Sequence, residues 1–240
     1  MSTTAQDAAS RLPRGPHRLS RQEVENHQRE RILAAMIAAT GTKGYGSTTI
    51  ADITRHAHVS RDTFYEQFAN KEQCFVAAYD AVTRELLERM VAAGTSQPSY
   101  IDGMREGVRA YLKFWSENAD AARVCMVEVM AAGDEAAAHR EHTMRSFVRL
   151  YRAVEERARA EDPELPNVPD VVSRAIVYAA VELTTQYIRE DRISSLPQLE
   201  NDVLYLWLML IAGHETAAAA LAPKADLAER LRRVEAPAPR

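Results

Sequence analysis

Residues 59–73 read VSRDTFYEQFANKEQ and gather, behind Ser60, five side chains with the chemistry to read a nucleic acid: Arg61, Asp62, Thr63, Tyr65 and Gln67. Arginine donates two parallel hydrogen bonds to guanine, aspartate accepts one from cytosine, and hydroxyl or amide groups reach base edges and phosphates. Ser60 and Asn70 are also helix-start residues, so the helix between them holds only about two turns. A helix that short is marginal alone and must be held by neighbours. Val59 and Phe64, at staple spacing, and Phe68 beyond them supply the apolar side that fastens it. Asp62 also places a negative charge in the first turn, where it complements the helix dipole. Brevity suits a groove: the major groove, about 12 Å wide, admits one helix, and only its leading residues touch bases.

Other chemistries find less to work with. GTKGYG, residues 41–46, has three glycines in the reverse of the dinucleotide-binding spacing, and the chain carries no P-loop, nucleophile elbow or HExxH. No catalytic residue and no cofactor is therefore assigned, and an enzyme is not expected. His56 and His58 form an HxH pair, and His139 and His142 stand one helical turn apart, yet neither pair has a cysteine or clustered carboxylates beside it. No metal ligand is assigned; a helical metal sensor and a protein-interaction module are kept as alternatives. Cys74 and Cys125 make no disulfide framework, and the first twenty residues lack the continuous apolar core of a secretory signal. Both favour a reducing cytoplasm.

The elements that must position these side chains are helices. Glycine is scarce, no alternating apolar pattern persists, and Ala, Leu, Glu and Arg dominate, which predicts an all-α fold. The first helix begins at Ser20, with capping-box spacing to Glu23, and carries Val24, Ile32, Leu33, Met36 and Ile37 before GTKGYG ends it. A second starts at Thr48 or Thr49 and presents Ile50, Ile53 and Ala57 on one face. From Asn70 a fourth runs towards Gly94 with Phe75, Tyr79, Val82, Leu86 and Met90 on one stripe. At 1.5 Å per residue it reaches about 35 Å, long enough to join two domains. Amphipathic segments follow over 99–117, 119–132 and 135–160, and the Pro-rich EDPELPNVP precedes two final helices over 170–192 and 196–221. The apolar run VLYLWLMLIAG at 203–213 is far short of the roughly 20 residues a bilayer span needs. It reads as a buried helix, and no membrane partner is expected.

A short helix, the turn containing HAHVS, and a second short helix with a polar outer face have the layout of a helix-turn-helix. The stretch GYGSTTIADITRHAHVSRDTFYEQFANKEQCF, residues 44–75, resembles the DNA-binding motif of the TetR family of bacterial transcriptional regulators. That motif has Gly-Tyr, a Thr pair, Asp-Ile two places on, Val-Ser, a Tyr, a Phe and Lys-Glu at these spacings. By position, the resemblance implies that Thr48 and Thr49 offer hydroxyls and backbone N–H groups to phosphate, and that Ser60, Arg61, Asp62 and Thr63 enter the groove. Tyr65 and Gln67 would reach the backbone or base edges, and Lys71 would ground the fourth helix on phosphate. His58 stands where the family usually has glycine, and His56 replaces a small residue; histidine tolerates a positive φ better than most.

The rest of the chain is similar to the family in length and helical character, which implies a ligand-binding and dimerisation domain. The expected organisation is a disordered basic arm over 1–19, a three-helix helix-turn-helix DNA-binding domain over 20–70, a larger helical ligand-binding and dimerisation domain over 71–222, and a tail over 223–240. The implied function is a ligand-responsive repressor that binds a palindromic operator in double-stranded DNA as a homodimer, pairs through its last two helices, and is released by a small-molecule effector.

Charge is divided in the same way. The net charge is −4, but between Arg11 and Lys71 ten Lys or Arg face six acids, leaving +4 there and −8 elsewhere. The arm RLPRGPHRLSR either enters a minor groove or is disordered. In the acidic body, Tyr111, Trp115, Met126, Met130, Phe147, Tyr151 and Tyr178 are candidates to line an effector pocket, with ordinary core as the alternative for each. Glu128 in MVEVM and Glu182 in AAVELTT are acids on apolar segments, suited to a ligand, a dimer interface or a solvent edge.

Overall fold

The structure, a computed structural model, describes residues 20–221; the basic arm expected over 1–19 and the tail over 223–240 lie outside the described residues. Caps written in the sequence open the early helices. Ser20 Oγ accepts the Glu23 N–H while the Glu23 carboxylate accepts the Ser20 N–H at 2.6 Å, and α1 (Arg21–Lys43) follows. Thr49 and Asp52 form the same reciprocal box ahead of α2 (Ile50–Ala57), Ser60 caps α3 (Arg61–Gln67), and Asn70 caps α4 (Lys71–Thr95). Each cap satisfies N–H groups left open at a helix start and is worth about 0.5 to 2 kcal/mol.

Seven-residue α3 is held by Phe64 and Phe68, both buried, whose rings meet at 5.7 Å. The turn before it is left-handed at His58, φ 52°, a conformation uncommon outside glycine. Arg31 of α1 clamps this turn by donating to the carbonyls of Ala57 and His58. Histidine therefore stands in a glycine conformation, with a cation tying the strained carbonyls in place.

The body comprises α5 (Tyr100–Glu117), α6 (Ala119–Met126), α7 (Asp134–Glu161), α8 (Asp170–Arg189) and α9 (Glu200–Leu221), and all regular structure among the described residues is helical. Two differences from the sequence reading matter. The segment expected as one helix over 119–132 stops at Met126 and continues as a 3₁₀ turn over Glu128–Ala131. The last helix does not begin at Leu196: Ile193–Leu199, with Pro197 inside it, is a 3₁₀ segment, and α9 itself breaks at Gly213, φ +81°. Proline lacks the donor an α-helix interior requires, and glycine alone adopts that φ at little cost.

The core runs through both parts of the chain. Ile32, Met36, Ile53, Phe64 and Phe75 fill it under the helix-turn-helix, and Leu86, Met104, Leu112, Trp115, Tyr151, Ile188 and Leu196 fill the body. Each such side chain contributes about 1.5 to 3 kcal/mol by leaving water. Val203, Leu204, Leu208 and Ile211 of the apolar run are buried as expected. Among the described residues, no helix is long and apolar enough to cross a membrane.

Candidate nucleic-acid interface and effector cavity

Helix α3 turns Phe64 inward and leaves Arg61, Asp62 and Tyr65 exposed, with Thr63 and Gln67 half-buried beside them. Arg61 Nη2 donates to the Tyr65 hydroxyl at 3.2 Å, and the guanidinium lies 5.6 Å from the ring centroid. One turn of helix thus presents a cation propped on an aromatic ring, ordered before any partner arrives. Ser60 is occupied as a cap: its Oγ accepts the Thr63 N–H at 3.0 Å and meets Thr63 Oγ1 at 2.9 Å.

One expectation at this interface is corrected. Thr48 does not offer a hydroxyl to phosphate; its side chain is buried, and Oγ1 donates to the Gly44 carbonyl at 2.8 Å. Lys71 is first a brace: Nζ donates to the carbonyls of Tyr45 at 2.9 Å and Thr48 at 3.1 Å and lies 3.9 Å from the Tyr45 ring centroid. An ammonium has three donors, so these bonds leave it one for another acceptor. Burial pulls its pKa down. Thr49 is exposed, but its hydroxyl donates to Asp52 at 2.6 Å. Lys43 and Arg55, which sequence reasoning did not single out, flank that carboxylate; Lys43, then Thr49, hold Asp52 far below the ordinary range. The signal for Lys43 is its place inside GTKGYG, where the three glycines form the more visible pattern.

The helix-turn-helix is joined to the body through Glu128. Its Oε2 accepts the Tyr45 backbone N–H at 2.7 Å, and the carboxylate lies so close to Gly44, φ +81°, that a Cβ there would stand 3.2 Å from it. The Tyr45 ring packs edge-on to Phe75 of α4 at 5.1 Å. Glu128 thus takes none of the three roles expected of it: its partner is a backbone N–H of the same chain. Glu182 lies at the solvent edge, exposed and 3.5 Å from Arg189.

A cavity of about 140 Å³ opens between α4, α5, α7, α8 and α9. Tyr111, Phe147 and Tyr151 line it as expected. Four other expected residues do not. Trp115 and Met126 are buried elsewhere in the core, Met130 is 62% exposed on the 3₁₀ turn, and Tyr178 is exposed with its hydroxyl donating to Glu141 at 2.9 Å. Apolar type alone does not say which way a helix is rolled, and α8 turns Val177, Ala180 and Val181 inward instead of Tyr178.

The walls include residues that sequence reasoning passed over, among them Met90, Gly94, Gly103, Gly107, Arg157 and Trp207. Gly94 and Gly103 let α4 and α5 touch, since a Cβ on Gly103 would stand 2.7 Å from the Gly94 carbonyl. Burial pushes the Tyr111 phenol up to about 12, so it stays protonated. Of the histidine pairs, His139 Nδ1 meets Asp80 at 2.9 Å, and no three His, Cys, Asp or Glu converge among the described residues.

Residues 32–78 match the sequence model of the bacterial regulatory proteins of the tetR family. No curated protein sequence matches the chain. Among solved structures, the transcriptional regulator FadR from Bacillus subtilis, in complex with stearoyl-CoA, superposes with a TM-score of 0.68 at 17% identity, covering 77% of this chain and 98% of that one. A tetR-family regulatory protein from Rhodococcus RHA1 gives 0.62 at 23% identity, covering 77% and 96%. SmeT, the repressor of the Stenotrophomonas maltophilia multidrug efflux pump SmeDEF, gives 0.63 at 20% identity, covering 76% and 89%. At these identities the likeness carries the fold.

Proposed function

We propose that this protein, whose residues 32–78 match the model of the bacterial regulatory proteins of the tetR family, is a cytoplasmic, ligand-responsive repressor with an amino-terminal DNA-binding domain. It binds a palindromic operator as a homodimer and leaves it when a small molecule enters the cavity of the body. The observation that carries this reading is that one helix touches both sites. Lys71 at the start of α4 braces the turn before α2, while Met90, Val91 and Gly94 near its end line the cavity.

A ligand that fits better when the two reading heads are mis-spaced lowers operator affinity by its differential binding to that state. The dimer forms through α8 and α9, where Val171, Tyr178, Leu183 and Met209 expose apolar surface. An isologous interface there sets the distance between two α3 helices and so the half-site spacing. FadR, with its bound stearoyl-CoA, and the repressor SmeT share the fold and support a regulator with a body able to hold a ligand.

The test is a gel shift of the full-length protein on the region upstream of its own gene, with excess unrelated DNA as competitor. A discrete complex that survives the competitor is expected; uniform, competitor-sensitive binding overturns the reading. A metal sensor or a protein-interaction module would give no sequence-selective shift.

A further inference from the structure

We propose that the effector is an apolar carboxylate: a hydrocarbon body seated in the cavity, with its anionic end on Arg157. This rests on the reading above that the cavity is the effector site. Apart from a few tyrosines, Thr95 and Trp207, the walls are hydrocarbon, and among the described residues Arg157 is the one charged side chain in them and no carboxylate lines the space. The wall therefore offers an anion a single guanidinium.

Arg157 is placed by three bonds. Nε donates to Glu161 Oε1 at 2.8 Å, Nη2 to the Gln97 carbonyl at 2.8 Å, and Nη1 to the Gly94 carbonyl at 3.4 Å. A guanidinium has five N–H bonds, so these leave one on each terminal nitrogen for a further acceptor. Glu161 is itself held, its other oxygen accepting the Tyr100 N–H at 2.9 Å. Deeper in the wall, the Trp207 indole N–H is buried without an acceptor, and Tyr111 has a buried hydroxyl without a formed hydrogen bond. The indole can only donate and the Tyr111 hydroxyl can donate or accept, so a ligand that brings acceptors satisfies both.

The same guanidinium fastens the Gly94 carbonyl in the last turn of α4 and the Gln97 carbonyl just past its end, and the first residue of that helix braces the turn before α2. A carboxylate on Arg157 thus binds at the clasp of the helix that reaches the reader.

The experiment uses three probes with one ten-carbon tail: decanoate, decanol and decyltrimethylammonium. Binding to the full chain is read by intrinsic fluorescence, since the protein has two tryptophans and Trp207 is in the wall. Decanoate is expected to saturate at least tenfold more tightly than decanol, about 1.4 kcal/mol, with the ammonium weakest. Arg157→Gln levels acid and alcohol, and Gly107→Leu, which has room for its Cβ but fills the cavity, weakens all three. Equal affinity for the three head groups in the parent protein overturns the carboxylate proposal and leaves the cavity reading standing. No saturable binding of any probe overturns the cavity reading itself. The head-group order in the parent chain decides the matter even if Arg157→Gln fails to fold.

Discussion

Tyr45 donates its backbone N–H to the Glu128 carboxylate at 2.7 Å, across 83 positions of sequence. The same residue gives its carbonyl to Lys71 and its ring to Phe75 and to the Lys71 ammonium. The turn that feeds the helix-turn-helix is thereby tied both to the body and to the start of α4. The proposed coupling between reader and cavity would have a short physical route here.

Glu128→Ala removes the acceptor and leaves a part-buried N–H unpaired. A loss of about 1 to 3 kcal/mol in urea unfolding is expected, with a smaller loss for Glu128→Gln, which keeps an oxygen in place. An alanine variant as stable as the parent would show that the bond carries no weight.

Lys71→Met keeps the apolar stem and deletes two bonds to carbonyls before α2. Stability should fall by about 1 to 3 kcal/mol, and DNA affinity should fall on all sequences alike. A sequence-selective loss of affinity contradicts the role of a brace.

Arg61→Ala should relax base preference at one position of the half-site and cost about 1 to 3 kcal/mol on the best sequence. Tyr65→Phe, which removes the hydroxyl that Arg61 meets at 3.2 Å, should weaken the same preference less. Selection of bound sequences from a random pool reads both, and an unchanged preference in the alanine variant removes Arg61 from the readers.

Two carboxylates make stability depend on pH with opposite signs. Glu155 is 2% exposed, accepts the Ser173 hydroxyl at 2.9 Å, and has its pKa raised above 4.5, mainly by burial. The native state keeps this proton longer than the unfolded chain, so its contribution is present below the unfolded value and is lost as pH rises through the folded one. Asp52, with its pKa lowered from 3.8 by Lys43 and Thr49, contributes above that value and loses its contribution as pH falls through its folded pKa. Thermal unfolding across pH should therefore show Glu155→Gln gaining on the parent as pH rises above 4.5, and Asp52→Asn losing most at neutral pH.

Light scattering at micromolar concentration should return a dimer. Leu183→Glu, an exposed apolar site on α8, should shift it to monomer without lowering the melting temperature of the protomer. A monomeric parent protein overturns the pairing through α8 and α9.

What the sequence determined by itself was local. Ser20 with Glu23, Thr49 with Asp52, Ser60 with Thr63, Asn70 with Gln73 and Ser99 with Asp102 are partners three residues apart, so helix starts and the short reading helix were legible from neighbours alone. The apolar stripes likewise marked Phe64, Phe68, Phe75 and Leu86 as core. Tertiary structure decided everything that depends on how one helix is rolled against another. It put Tyr178 and Met130 outside and Gly107 and Trp207 in the cavity wall, because an apolar residue has several faces it can serve and packing chooses one. It also turned charged residues inward: Glu128 met Tyr45, Lys71 met two carbonyls 26 and 23 positions earlier, and Arg157 met Gly94 across 63. Backbone carbonyls and N–H groups leave no mark in a sequence, so a side chain whose partner is another segment's backbone becomes legible only once the chain has folded.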